Sequence, residues 1–176
     1  MNIYLIGFRC TGKTSVGKII AQKLGMGFID ADDELVKQQG VTITDMVDKH
    51  GWDYFRDKES DVIKELSEMD NTVVATGGGV ILNKTNVECM KRSGIVVWLK
   101  ANPETIEQRM LQDTKTDESR PSLTSKGIIG EIQQTIEERT PLYTHAMEIY
   151  ITTDDIGIED VADNIIVKIQ TLKTKN

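Results

Sequence analysis

The stretch GFRCTGKTS, Gly7 to Ser15, lies between the short apolar run YLIG and a segment whose apolar residues recur at helical spacing. Gly7, Gly12, Lys13 and Thr14 satisfy the pattern G-x-x-x-x-G-K-[ST], which is informative because a strand precedes it and a helix follows. Glycines admit positive φ and close approach of bare backbone, so successive N–H groups can converge on an anion at a helix N-terminus. Lys13 then neutralises β and γ oxygens as a point charge. Thr14 offers a hydroxyl to Mg²⁺ beside those phosphates, and Ser15 joins the nucleotide-contacting set. ATP and Mg²⁺ are the expected cofactors.

A chain opening on strand, loop and helix is committed to crossover connections, and the rest of the sequence continues that alternation. IYLIG (3–7), GFID (27–30), TVVAT (72–76), IVVWLK (95–100) and EIYIT (148–152) are short, apolar and β-branched, as buried strands are. Between them lie amphipathic stretches. Ser15 to Leu24 carries Val16, Ile19, Ile20 and Leu24 on one face, and Tyr54 to Leu66 carries Phe55, Val62, Ile63 and Leu66. Ile158 to Leu172, with Ile158, Val161, Ile165 and Ile169 in phase, predicts a closing helix. Apolar strands separated by helices imply a parallel sheet covered on both faces. The expected class is α/β, a three-layer α/β/α sandwich with a five-stranded parallel sheet. With 176 residues the chain fits one domain, 1–176. The polar run 111–127, interrupted by Pro121, predicts a mobile lid.

Composition removes several classes of function. The 28 Asp and Glu against 21 Lys and Arg leave no continuous basic surface for nucleic acid. No apolar run approaches a membrane span, and no secretory leader opens the chain, so a cytoplasmic protein without a membrane partner is expected. Cys10 and Cys89 form no paired metal motif and read as reduced thiols. A GTPase would need a base-reading N-K-x-D after its fourth strand; NKTN (83–86) lacks the Asp and precedes IVVWLK. A small-molecule kinase fits the length best.

Candidate acceptor residues cluster at the carboxyl ends of predicted strands, where open parallel sheets bind ligands. FIDADDE clusters Asp30, Asp32 and Asp33 at the carboxyl end of the second strand, where a strand's period of two points Asp30 and Asp32 in similar directions, with Asp33 and Glu34 suited to a helix N-cap or first turn. ATGGGVI places Gly77, Gly78 and Gly79 after the third, where bare backbone can approach a ligand. Arg56 and Arg139 can each grip a carboxylate. Taken together in this order, the phosphate loop, DAD (30–32), FRDKE (55–59), GGG (77–79), RPSL (120–123) and RTPLY (139–143) resemble the shikimate kinase family.

The resemblance implies a nucleoside-monophosphate-kinase-like fold, a shikimate-binding region at about 31–60 and a closing lid. It implies that Asp32 binds shikimate hydroxyls and accepts the 3-hydroxyl proton, and that Asp30 supports Mg²⁺ through water. Arg56 and Arg139 would hold the carboxylate, with Glu59 orienting Arg56 and the backbone of Gly77 to Gly79 adding contacts. Arg120 would swing from the lid onto the phosphates, and Arg109 is similar to the family residue beside adenine. The family usually has glycine where this chain has Cys10; binding is expected to survive. The acidic segment TTDDIGIED stands where the family lays a loop on adenine. ATP-dependent phosphorylation of shikimate by a monomer is the leading expectation. A kinase for another polyol acid such as gluconate, and a nucleotide sensor without phosphoryl transfer, stay open as alternatives.

Overall fold

The computed structural model describes residues 1–112 and 128–174. The strands are β1 (Asn2–Ile6), β2 (Gly27–Asp30), β3 (Thr72–Ala75), β4 (Gly94–Lys100) and β5 (Ile149–Thr152). The helices are α1 (Lys13–Leu24), α2 (Ala31–Gln39), α3 (Ile43–Glu68), α4 (Lys84–Ser93), α5 (Pro103–Gln112), α6 (Ile128–Ala146) and α7 (Ile158–Lys173), with a 3-10 turn at Val80–Leu82. All the strand pairs are parallel, in the order β2-β3-β1-β4-β5. Each of the expected strands is present within a residue of its expected ends.

Alternation along the central strands splits the core in two, because successive side chains leave a strand on opposite faces. Tyr4, Ile6, Val74, Val96 and Trp98 point to one side and pack against α2, α3, α4 and the end of α6 through Leu35, Phe55, Ile63, Met90 and Tyr143. Ile3, Leu5, Val73, Val97 and Leu99 point to the other and meet Val16 and Ile20 of α1 and Val161, Ile165 and Ile169 of α7. Burying each such side chain stabilises the fold by roughly 1.5–3 kcal/mol. Leu24 and Ile158, expected on apolar helix faces, are exposed; Leu24 is the last residue of α1 and Ile158 the first of α7. A third cluster, Phe8, Ala101, Ile106 and Ile132, seats α5 and α6 over the carboxyl ends of the strands.

Two boundaries differ from the expectation in ways that matter for the site. The helix expected from Tyr54 begins at Ile43, and Gly51 at φ 83° breaks it, so Arg56 and Glu59 lie in the first turns of a fresh helical segment. Helix α2 begins at Ala31, directly after β2, so Asp32 stands in a helical first turn instead of continuing the strand's alternation. Leu111 and Gln112, expected to open the lid, close α5; the remainder of the lid, with Arg120, lies outside the described residues.

Candidate active site

Above β1 the chain turns through Gly7 at φ 144°, where any Cβ would collide with the Leu99 carbonyl, and enters α1 through Gly12 at φ 93°. Gly12 offers no side-chain cap, so the first N–H groups of α1, at Lys13, Thr14 and Ser15, point into the loop. The Lys13 ammonium is buried and donates to the carbonyls of Gly7 (2.9 Å) and Phe8 (2.7 Å), which aim it across the loop. Thr14 Oγ1 donates to Asp30 Oδ2 at 2.7 Å, while Asp30 Oδ1 accepts from the Asp32 N–H at 3.1 Å and caps α2. The expectation of an acid at the helix start thus falls on Asp30 itself, with Asp33 and Glu34 in the first turn behind it. Thr14 and Asp30 are hard oxygen donors side by side at the loop mouth, the chemistry Mg²⁺ takes.

Beside the loop an open cleft is lined by Cys10, Gly12, Ser15, Arg109, Thr153 and Ile156 among others. Arg109 donates through Nη1 to the Cys10 carbonyl (3.3 Å) and Thr153 Oγ1 (3.1 Å), and through Nη2 to the Thr153 carbonyl (2.6 Å). With its edge occupied, the guanidinium offers its flat face for stacking. Ile156 and Ile158, from the segment whose acidic letters gave no base contact, supply the apolar wall.

On the other side of the loop an open-mouthed cavity gathers Asp32, Arg56, Glu59, Gly77, Gly78, Gly79 and Arg139. These residues span more than a hundred positions of chain, and the fold brings them together. Arg56 Nη1 donates to Glu59 Oε2 at 2.6 Å, one helical turn on, and its guanidinium lies 4.8 Å from the Phe55 ring centroid and 5.6 Å from that of Trp52. Two of the three glycines are crowded. A Cβ on Gly79 would fall on the Arg56 guanidinium, and one on Gly77 would sit 2.7 Å from Glu59 Oε1 and 2.8 Å from Asp32 Oδ1. The two carboxylates therefore approach one another across the Gly77 backbone.

That arrangement perturbs Glu59. Burial pushes its carboxyl above the ordinary value; the charge and hydrogen bond of Arg56 pull it back, Asp32 pushes it further up, and Arg139 pulls it down. Its Oε1 is buried without a hydrogen-bond partner among the described residues. A buried acceptor in that condition is costly unless something in the cavity meets it.

Several residues here carried no expectation. Arg9, Trp52, Phe8 and Ile43 line the acceptor cavity, and Arg9 Nη2 pairs with Glu131 Oε1 at 3.2 Å. Arg9 occupies a variable place in the loop pattern, and Glu131 lies 122 residues away, so no local signal marks the pair. Thr153, which anchors Arg109, was equally silent. Tyr143 did carry a signal: it stands four residues after Arg139, on the same face of α6. Arg139 Nη1 and Tyr143 Oη both donate to the Gly78 carbonyl, at 3.1 and 2.6 Å.

A P-loop flanked on one side by a pocket holding Arg109 and on the other by a separate cavity of guanidinium and carboxylate groups is the layout expected of a P-loop kinase of a small anionic molecule. Comparison with known proteins narrows the class. The shikimate kinase family profile matches residues 9–170, and the chain belongs to that family. The shikimate kinase of Thermodesulfovibrio yellowstonii is 39% identical over 171 residues, 97% of this chain and 96% of that protein. The shikimate kinase of Acinetobacter baumannii, solved in complex with shikimate, superposes with a TM-score of 0.91 at 36% identity, covering 98% of this chain and 94% of that one. A gluconokinase from Sinorhizobium meliloti shares the fold alone, at a TM-score of 0.56 and 16% identity over 99% of this chain and 97% of that one.

Proposed function

We propose that this protein transfers the γ-phosphoryl group of ATP to the 3-hydroxyl of shikimate, giving shikimate 3-phosphate and ADP. The observation that carries this reading is the convergence of Arg56, Arg139, Asp32 and the Gly77–Gly79 backbone in one cavity beside the phosphate loop. A planar carboxylate suits paired guanidinium groups, and hydroxyls suit an aspartate. The acceptor is thereby oriented before any charge moves, which suits a reaction that depends on positioning and charge neutralisation more than on covalent chemistry.

In this scheme Lys13 and the N-terminus of α1 hold the transferring phosphates, while Asp32 accepts the proton of the attacking hydroxyl. Thr14 would hold Mg²⁺ directly and Asp30 through water, and the ion would neutralise charge on the β and γ oxygens. Arg109 and Ile156 would flank the adenine. Arg120 is assigned to the phosphates and the rest of 113–127 to a lid over them, on family resemblance alone. A monomeric, single-domain enzyme is part of the same proposal. No helix among the described residues is long and apolar enough to cross a membrane.

The test is a coupled ADP-release assay with shikimate, gluconate and no acceptor, backed by mass analysis of the product. Turnover restricted to shikimate is expected. Turnover on gluconate alone, or ADP release indifferent to acceptor, overturns the assignment.

A further inference from the structure

Tyr143 lies outside the acceptor cavity, behind its wall, yet it shares a hydrogen-bond acceptor with a group that lines it. The Gly78 carbonyl receives the Tyr143 hydroxyl at 2.6 Å and Arg139 Nη1 at 3.1 Å. The phenol is almost wholly buried and its ring stacks on Trp98 of β4, with centroids 5.3 Å apart at an interplanar angle of 17°. The hydroxyl therefore projects from a rigid base with one rotatable donor. On the other side of Gly78 is the phosphate loop: a Cβ there would stand 3.5 Å from the Arg9 N and 3.5 Å from the Gly7 carbonyl oxygen. One residue, Gly78, thus stands between the loop on its Cα side and, at its carbonyl, both the sheet-stacked phenol and the acceptor arginine.

We propose that Tyr143 is a positioning residue for the acceptor: by fixing the Gly78 carbonyl it sets the orientation of the Arg139 guanidinium, and so the grip on the substrate carboxylate. This rests on the assignment of Arg139 to that carboxylate. The short bond gives the carbonyl one lone pair for the phenol and leaves the other for Arg139, whose remaining N–H edge then faces the cavity. Burial pushes the Tyr143 hydroxyl up to about 12, with Arg139 and Arg56 pulling against it, so it is a donor throughout the working pH range.

The test uses Tyr143→Phe, which keeps the ring on Trp98 and removes only the donor, alone and combined with Arg139→Lys. Steady-state kinetics are run with shikimate and with its analogue reduced from carboxylate to alcohol. Tyr143→Phe is expected to raise KM for shikimate roughly three- to tenfold, the scale of one lost hydrogen bond. KM for ATP and the melting temperature should stay close to wild type. The rise should shrink for the alcohol analogue and fail to add to that of Arg139→Lys. An unchanged KM for shikimate, an effect additive with Arg139→Lys, or a parallel loss for ATP with a lowered melting temperature overturns the inference. Should Arg139→Lys itself leave KM for shikimate unchanged, the carboxylate assignment fails first, and that result is distinct from the others.

Discussion

On the nucleotide side of the cleft one contiguous stretch, Gly7 to Ser15, supplies the loop, the lysine and the hydroxyl, whereas the acceptor side draws its anchors from α2, α3, the Gly77–Gly79 segment and α6. The first is held by backbone: positive φ at Gly7, Cys10 and Gly12, and main-chain carbonyls that aim Lys13. The second is held by side-chain charge: Arg56 on Glu59, Asp32 across Gly77, Arg139 on Gly78. Binding a triphosphate, a ligand with one repeating shape, requires backbone geometry that a short motif can encode. Discriminating one polyol acid from another requires charges placed by the whole fold.

This contrast predicts that damage on the acceptor side leaves the nucleotide bound. Asp32→Asn, which keeps the shape of the side chain and removes its basicity, should lower kcat by roughly 10²–10⁴-fold, with ATP affinity by calorimetry within about twofold. Loss of ATP binding in step with turnover would erase the distinction between the two sides. Gly79→Ala sharpens it further, because the new Cβ displaces the Arg56 guanidinium, a mobile tip, without touching the loop. The fold should survive and KM for shikimate should rise about 10–100-fold. A wild-type KM in that variant would show that Arg56 does not need its present position.

The same contrast explains what could be read from the letters alone. The loop, the alternation of strands with helices, and the acids after β2 are local patterns, and they were readable because strand, turn and helix signals are local. Arg56 and Glu59 also form a local pair, one helical turn apart. The meeting of Arg9 with Glu131, or of Arg109 with Thr153, is set by where α5 and α6 settle on the sheet through Ile106 and Ile132, and no spacing along the chain encodes it. The strand-like pairing of Asp30 with Asp32 failed for a related reason: Asp30 caps a helix that starts one residue later, and capping outweighed continuation of the strand. Tyr143 was within reach of a helical-face argument, since Arg139 stands one turn before it.

A smaller effect follows from Glu59. Its folded value lies above the ordinary 4.5 because burial penalises the charged form. A carboxyl raised on folding binds more protons in the native state than in the unfolded chain, so the stability it contributes is complete below about 4.5 and is lost as pH rises through the folded value. Glu59→Gln removes that loss. Its melting temperature should fall less between pH 4.5 and pH 7 than that of the wild type, by a few degrees on the scale of about 2–4 °C per kcal/mol for a chain of this size. KM for shikimate should rise a few-fold as Arg56 loses its anion. Parallel melting curves across that range would show that Glu59 is well solvated and that the acceptor side stores no electrostatic strain.

The nucleotide side stores its strain in the backbone, and Cys10 is where it can be measured. Cys10 adopts φ 59° in the left-handed region, which costs a side chain with a Cβ about 1 kcal/mol. Arg109 holds that conformation by donating to the Cys10 carbonyl. Cys10→Gly relieves the strain, but glycine also gives the unfolded chain more freedom, worth roughly 0.5–1 kcal/mol in the opposite direction. The two nearly cancel, so the melting temperature of Cys10→Gly should lie within about 3 °C of wild type. Cys10→Val has no such compensation: a β-branched side chain in the left-handed region is more strained than cysteine. The expected ranking by calorimetry is therefore glycine level with or above cysteine, and valine clearly below both. A valine variant as stable as the wild type would mean that the loop leaves the left-handed conformation at no cost, and the backbone would then not be what holds the nucleotide side.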